Sequence, residues 1–288
     1  MSFGILAAII AMLCWGFGDF LIQRSTRKIG DWETLFLITL FGSVVLLPFV
    51  WHDLPIFLQN TGPTFWILVA AGLLLFVAAL LEFEALKEGK ISVIEPTWSL
   101  EIPVAAILAT LILGESLNPL QILLIATLIV GLFFVSYKGE VTKKFFLEKG
   151  VLISVFAAIM MGTTNFFVGW GARETSPLVI NFVISFVSLV GSFIFLVIKK
   201  KTFKTISHLV KYPKMLLSMM VLDNAAWIAF AFAMTLAPIG ITVALSESYI
   251  IIAVILGIFI NKESLSKRQH VGLLVALTSA IILATITI

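Results

Sequence analysis

The sequence predicts an all-α polytopic membrane protein, with ten transmembrane helices arranged as two inverted five-helix repeats around a central cavity. Three observations carry that expectation. The first is composition: 60% hydrophobic and 12% charged, with a mean hydropathy of +1.13. A soluble domain is about 25% charged, so this chain lacks the groups to solvate a globular surface. The second is that apolar runs long enough to cross about 30 Å of hydrocarbon recur along the whole chain. The third is that the chain resembles itself across its midpoint. The same composition excludes disordered, collagenous and disulfide-framework classes. A single cysteine makes neither an internal disulfide nor a thiolate metal site.

With roughly 20 apolar residues per helix as the ruler, the spans run near 3–23, 32–51, 64–86, 91–113, 119–137, 148–170, 176–198, 213–235, 240–261 and 268–287. The first lacks a basic leading region and a small-residue cleavage pattern, so it reads as a retained helix and not a signal peptide. Turn chemistry separates the second span from the third at Asn60-Thr61-Gly62-Pro63. It also divides the fourth from the fifth at Asn118-Pro119, the sixth from the seventh at Ser176-Pro177, and the eighth from the ninth at Ala237-Pro238. Basic clusters mark the remaining junctions. Barrel strands would alternate at every second residue, and these runs do not.

The basic residues orient the chain. All nineteen Lys and Arg lie outside the spans or at their edges, and eighteen fall on one face, in the loops after every odd-numbered span. Only Arg173 lies on the other. The positive-inside rule therefore puts those loops in the cytoplasm and both termini outside a cell (plasma) membrane. The formal charge of +3 and pI near 9.0 come from these loops. They would sit against anionic headgroups, so nucleic acid is not needed as a partner.

The repeat is read from matched segments. Gly4-Ile5-Leu6 answers Gly150-Val151-Leu152, and Gly16-Phe17-Gly18-Asp19-Phe20 answers Gly162-Thr163-Thr164-Asn165-Phe166. Glu115-Ser116-Leu117 closes the fourth span as Glu263-Ser264-Leu265 closes the ninth. The expected division is residues 1–138 as the first repeat, 139–147 as a cytoplasmic linker and 148–288 as the second repeat. Five is odd, so the second copy enters the membrane upside-down. Inverted repeats of this kind are a signature of secondary transporters, with a site near midplane where the halves meet.

On Trp15-Gly16, on Pro103, and on Leu113-Gly114-Glu115-Ser116-Leu117, within five-plus-five spans, the whole chain resembles the drug/metabolite transporter superfamily, in particular its EamA-type members. The second copy departs from that pattern, with Met161, Ile251 and Lys262 at the positions of Trp15, Pro103 and Gly114. The matched residues mark packing and helix ends, so no substrate-defining signature carries over. The resemblance implies a basket of helices around a central cavity that moves small metabolites without ATP or another cofactor.

Seven acids fall within spans: Asp19, Glu82, Glu84, Glu95, Glu101, Asp223 and Glu247. No Lys or Arg falls well inside one. A charge at helix centre costs about 2.5–3.5 kcal/mol on insertion scales, so these groups should face a wet cavity or polar neighbours. Spacing groups Glu95, Trp98 and Glu101 on one face of the fourth span and Trp15 and Asp19 on one face of the first. Asp223, Asn224 and Trp227 cluster in the eighth, and Ser246, Glu247 and Tyr249 in the ninth. Glu82 and Glu84 point to nearly opposite sides at about 100° per residue, with Glu82 nearer midplane. The candidate substrate-binding or coupling residues are therefore Glu101, Asp223, Trp98, Asn224, Trp227, Tyr249, Glu82, Asp19, Trp15, Glu95 and Glu247. Plainer readings stand beside these. Asp19 and Glu84 could pair with Arg24 and Lys87, Glu95 could favour a first helical turn beside Pro96, and the three tryptophans could be core.

The expected cavity is lined by spans one, three, four, eight and nine. Buried carboxyls without buried bases suit a proton carrier or a cationic solute held with aromatic faces. An amino acid, amine or drug-like solute fits either case. His52, His208 and His270 have no metal-ligand spacing, and hydrolase, zincin and nucleotide-loop motifs are absent. No enzyme is expected. The alternatives are a channel or lipid-handling protein and, after those, an intramembrane enzyme using Asp19 and Asp223. The expected partners are the solute, protons and lipids, with a monomer or homodimer both open.

Overall fold

A computed structural model describes residues 2–59, 61–88, 97–136, 149–252 and 265–287, and these are all helix, turn or connection. The helices are α1 (Phe3–Ile29), α2 (Asp31–Val50), the short α3 (Leu54–Gln59), α4 (Pro63–Glu88), α5 (Glu101–Leu113) and α6 (Pro119–Ser136). They continue as α7 (Lys149–Glu174), α8 (Pro177–Ile198), α9 (Thr202–Lys211), α10 (Pro213–Leu236), α11 (Ile239–Ser246) and α12 (Lys267–Ile286). Among the described residues, seven helices are long and apolar enough to cross a membrane, and three shorter apolar helices, Glu101–Leu113, Pro119–Val135 and Ile239–Ile252, fall in the fourth, fifth and ninth expected spans. The short α3 and α9 lie between spans.

Local chemistry sets the helix ends. Ser176 caps α8 through its hydroxyl to the Val179 N–H, with Pro177 in the first turn. Ser266 and Gln269 form a reciprocal capping box at α12. At the far end of α8, Lys200 adopts φ 55°, Lys201 N–H donates to Leu196 C=O at 2.8 Å, and Lys200 N–H donates to Val197 C=O at 3.0 Å. This is a Schellman turn with lysine where glycine is usual. A left-handed non-glycine residue costs about 1–2 kcal/mol.

The fourth and ninth spans are interrupted. Turns at Ser99-Leu100 and Glu247-Ser248 break the helical run. The spacing that aligns Glu115-Ser116-Leu117 with Glu263-Ser264-Leu265 also aligns these two breaks with each other. The donors stay paired across each turn: Leu100 N–H donates to Thr97 C=O at 3.1 Å, Glu247 N–H to Val243 C=O at 2.8 Å and Ser248 N–H to Leu245 C=O at 3.2 Å.

The dominant helix pairings cross between halves. The first span packs on the eighth (α1 on α10) and the third on the sixth (α4 on α7). The second packs on the seventh (α2 on α8) and the fifth on the tenth (α6 on α12). Exchanging the halves turns the first pairing into the second and maps the last two onto themselves, as an inverted duplication requires. Leucine, isoleucine and phenylalanine side chains such as Leu111, Phe49 and Ile198 project outward at 76%, 69% and 70% exposure, the surface expected to meet lipid.

Close backbone approach joins α6 to α12. A Cβ on Gly131 would lie 2.6 Å from the Ala276 backbone nitrogen. The contact is completed by Thr127 and Ser279 hydroxyls at 2.9 Å and by Gln269 Nε2 donating to Val135 C=O at 3.0 Å. Small residues at a crossing are how membrane helices pack without a hydrophobic drive between them. Gly131→Ala should therefore lower thermal stability in detergent by about 1–3 kcal/mol. Gly18→Ala, whose nearest neighbour would be an ordinary 3.6 Å away, should be neutral or slightly stabilising by removing backbone freedom. Equal melting temperatures for the two variants would show that the α6–α12 contact is not tight.

Candidate functional site

A single cavity of about 110 Å³ gathers the acidic side chains. It is lined by Asp19, Glu82, Glu101, Asp223 and Glu247, by Trp15, Trp98, Trp227 and Tyr249, and by Asn224 and Asn165. Ten of the eleven residues singled out from the sequence thus meet in one place. The eleventh, Glu95, lies outside the described residues. Glu84 is not among the lining residues, in keeping with its opposite bearing to Glu82. The lining is wider than expected. Leu35, Ile38 and Thr39 of the second span, Met161 and Asn165 of the sixth, and Ile184 and Ser185 of the seventh also contribute.

Helix geometry explains who reaches the space. Glu101 opens α5 immediately after the break at Ser99-Leu100, where the positive end of the helix favours a carboxylate. Gly162 lets α7 approach so closely that a Cβ there would lie 2.9 Å from Glu101 Cα. Three residues on, Asn165 Nδ2 donates to Glu101 Oε2 at 3.0 Å. Glu82 lies beside Glu101, within side-chain reach of it. The Tyr249 hydroxyl donates to Asp19. Asp19 in turn lies within electrostatic reach of Glu82, Asp223 and Glu247.

The neutral side chains frame this cluster. Asn224 Nδ2 donates to the carbonyls of Ile38 at 3.1 Å and Met220 at 2.9 Å, fixing α10 against α2. Asn181 Nδ2 donates to Trp227 C=O at 3.2 Å. Trp15 meets Trp227 edge-on at 5.3 Å and Phe230 at 5.0 Å, closing one side of the cavity with aromatic rings. Trp98 Nε1 is buried and, among the described residues, has no hydrogen-bond partner. Among the described residues, no lysine or arginine lines the space.

Asn165 is the residue that face-by-face reading missed. The signal was present: the repeat sets Asn165 opposite Asp19, and Met161 opposite Trp15. All four line the cavity.

Many lining residues, including Ile22, Leu35, Ile38, Ala79, Glu82 and Phe83, sit toward the ends of α1, α2 and α4 that adjoin basic loops. The opposite face carries an ion pair. Arg173 Nη2 lies 2.6 Å from Glu115 Oε1. The same guanidinium donates to the carbonyls of Met234 at 2.7 Å and Ala237 at 3.0 Å. Glu115 also accepts the Ile239 N–H at 2.9 Å, capping α11 from another helix pair. One arginine and one glutamate therefore tie the ends of α5, α7, α10 and α11 together.

Comparison with known proteins agrees with this architecture. The EamA-like transporter family matches the chain over residues 2–137 and 148–285. An uncharacterized transporter of Archaeoglobus fulgidus is 26% identical over 146 residues, 49% of this chain and 52% of that protein. The chain thus aligns with about half the length of that curated relative. A crystal structure of another protein superposes with a TM-score of 0.75 over 99% of this chain and 97% of that one, at 14% identity, a likeness of fold alone.

Water should reach this cavity and not the lipid-facing surface. In a Cys14→Ser background, Ser185→Cys and Asn165→Cys should react with a water-soluble thiol reagent, and the outward-facing Phe193→Cys should not. Equal reactivity of all three would overturn the assignment of a wet cavity.

Proposed function

Because the chain belongs to the EamA-like transporter family, we propose that it is a secondary transporter for a small solute bearing an amine or other cationic group, working by alternating access. The observation that carries this reading is the convergence of Asp19, Glu82, Glu101, Asp223 and Glu247 on one cavity with no basic residue among them. Such a space is neutralised either by protons or by a cation. Trp15, Trp227 and Tyr249 add faces that attract cations by about 0.5–2 kcal/mol. A phosphate or sugar-nucleotide cargo would call for lysine or arginine instead. The Trp98 N–H, without a partner among the described residues, adds one donor for an acceptor on the same solute, so an amino acid or a similar zwitterion suits the site best.

Glu101 and Asp223 are the central carboxylates of this proposal. Asn224, Trp98, Trp227, Tyr249, Trp15, Asp19, Glu82 and Glu247 shape the site around them, and Asn165 orients Glu101. In this scheme the protein sits in the cell membrane with both termini outside, its basic loops in the cytoplasm. The cavity then opens toward the cytoplasm, and the Arg173–Glu115 pair is the outer closure. Alternation consists of releasing that closure while the cytoplasmic side narrows.

Two measurements test the scheme. Solutes chosen by a thermal-shift screen should enter protein-containing liposomes saturably, and Glu101→Gln should abolish uptake or its dependence on a pH gradient while the protein stays folded. Normal transport by that variant at every pH would mean that Glu101 is structural. Arg173→Gln should strand the carbonyls of Met234 and Ala237 and destabilise the closed outer face by about 1–3 kcal/mol. In that variant Met234→Cys, otherwise fully buried, should become reactive to an impermeant reagent added outside; unchanged protection would refute the closure.

A further inference from the structure

The segment joining α8 to α10 plays no part in holding a solute, yet it has a distinct build. From Lys199 to Lys214 the chain carries six lysines and no acid. The Schellman turn at Lys200 diverts the chain out of α8 into α9, a helix of 10 residues. Ten residues rise about 15 Å, half of what a span needs.

At about 100° per residue, the side chains of α9 divide into three arcs. Thr205, fully buried, and the half-buried His208 and Leu209 turn toward the protein. Phe203, Ile206 and Val210 occupy the second arc and are 88%, 47% and 84% exposed. Lys204, Ser207 and Lys211 occupy the third, immediately beside the apolar arc, and are exposed as well. The helix is anchored on both sides. Lys201 Nζ donates to Glu33 at 2.9 Å, and Lys28 Nζ sits 4.0 Å from the centre of the Tyr212 ring just beyond α9. Burial, then Lys204 and Lys211, hold the His208 imidazole below its usual pKa against the opposing pull of Glu33. The positive charge here is therefore that of the lysines.

We propose that α9 and the lysines flanking it form a binding surface for anionic lipid headgroups, with Phe203, Ile206 and Val210 entering the acyl-chain boundary and Lys199, Lys204, Lys211 and Lys214 meeting the phosphates. An exposed apolar arc bordered by a basic one is the pattern of a helix lying in the membrane interface. The arc continues into the outward-facing Ile198 and Leu217 at the adjoining ends of α8 and α10, 70% and 52% exposed, which identifies its occupant as the bilayer. A free anion would engage the lysines and leave Phe203 and Val210 in water. The surface is independent of which solute the cavity takes.

The test uses the full-length protein in vesicles of phosphatidylcholine with and without phosphatidylglycerol. Nitroxide labels on Phe203→Cys and Val210→Cys, in the Cys14→Ser background, should be relaxed more by oxygen than by a water-soluble nickel complex. A label on Ser207→Cys should show the reverse. The detergent-purified protein should retain fluorescent phosphatidylglycerol. The variant carrying Lys199→Gln, Lys204→Gln, Lys211→Gln and Lys214→Gln should lose about tenfold or more of that retention at low salt, with unchanged elution and melting temperature. Labels at 203 and 210 as accessible to the nickel complex as the label at 207 would overturn the proposal. So would full lipid retention by the lysine variant, or displacement of the lipid by inorganic phosphate alone.

Discussion

Carboxyl groups cannot face hydrocarbon, and the arrangement of this protein follows from having five of them at membrane depth. Each would cost about 2.5–3.5 kcal/mol at the centre of a lipid-facing helix, a combined penalty on the order of 15 kcal/mol. That equals or exceeds the whole stability of an ordinary domain. Asp19, Glu82, Glu101, Asp223 and Glu247 come from α1, α4, α5, α10 and the turn after α11. All of these elements must therefore be rotated to share one interior. Once that polar interior exists, the breaks at Ser99-Leu100 and Glu247-Ser248 adjoin residues that line the cavity: Trp98 and Glu101 at one, Glu247 and Tyr249 at the other.

Much of this was legible because insertion energetics and helical period are local rules. The penalty for buried charge picked out the acids, and the 100° step separated Glu82, which lines the cavity, from Glu84, which does not. The rest depends on tertiary placement. Thr39 and Ser185 line the cavity from the second and seventh spans, but a lone hydroxyl in an apolar helix bonds its own backbone as readily as it faces a site, so neither stood out. Asn165 required reading the repeat as a map of the site as well as of the fold. The two helix breaks carry no Gly or Pro within them. Nothing local in the sequence of the fourth and ninth spans marked them.

The two membrane faces are built from related pieces. The spacing that pairs Gly16 with Gly162 also pairs Arg27 with Arg173, and Glu115 has its counterpart in Glu263. On one face Arg173 and Glu115 are joined. On the other, Arg27 is exposed, and Glu263 lies outside the described residues. Duplication thus supplied each face with an arginine at the end of its first helix and a glutamate after its fourth. The second copy carries Asn165 and Met161 where the first carries Asp19 and Trp15, so the acids of the site are unevenly shared between the halves.

The helix pairings carry a geometric consequence. Swapping the shapes of the two halves maps the second-with-seventh and fifth-with-tenth contacts onto themselves, because they lie on the pseudo-twofold axis. Any conformation generated by that swap must preserve them. The same operation converts the first-with-eighth contact into the third-with-sixth contact, so those two trade geometries. In the alternating-access scheme proposed above, the Gly131–Ala276 crossing is the contact that keeps its partners, and the small residues there do what a bearing does, permitting rotation at fixed separation.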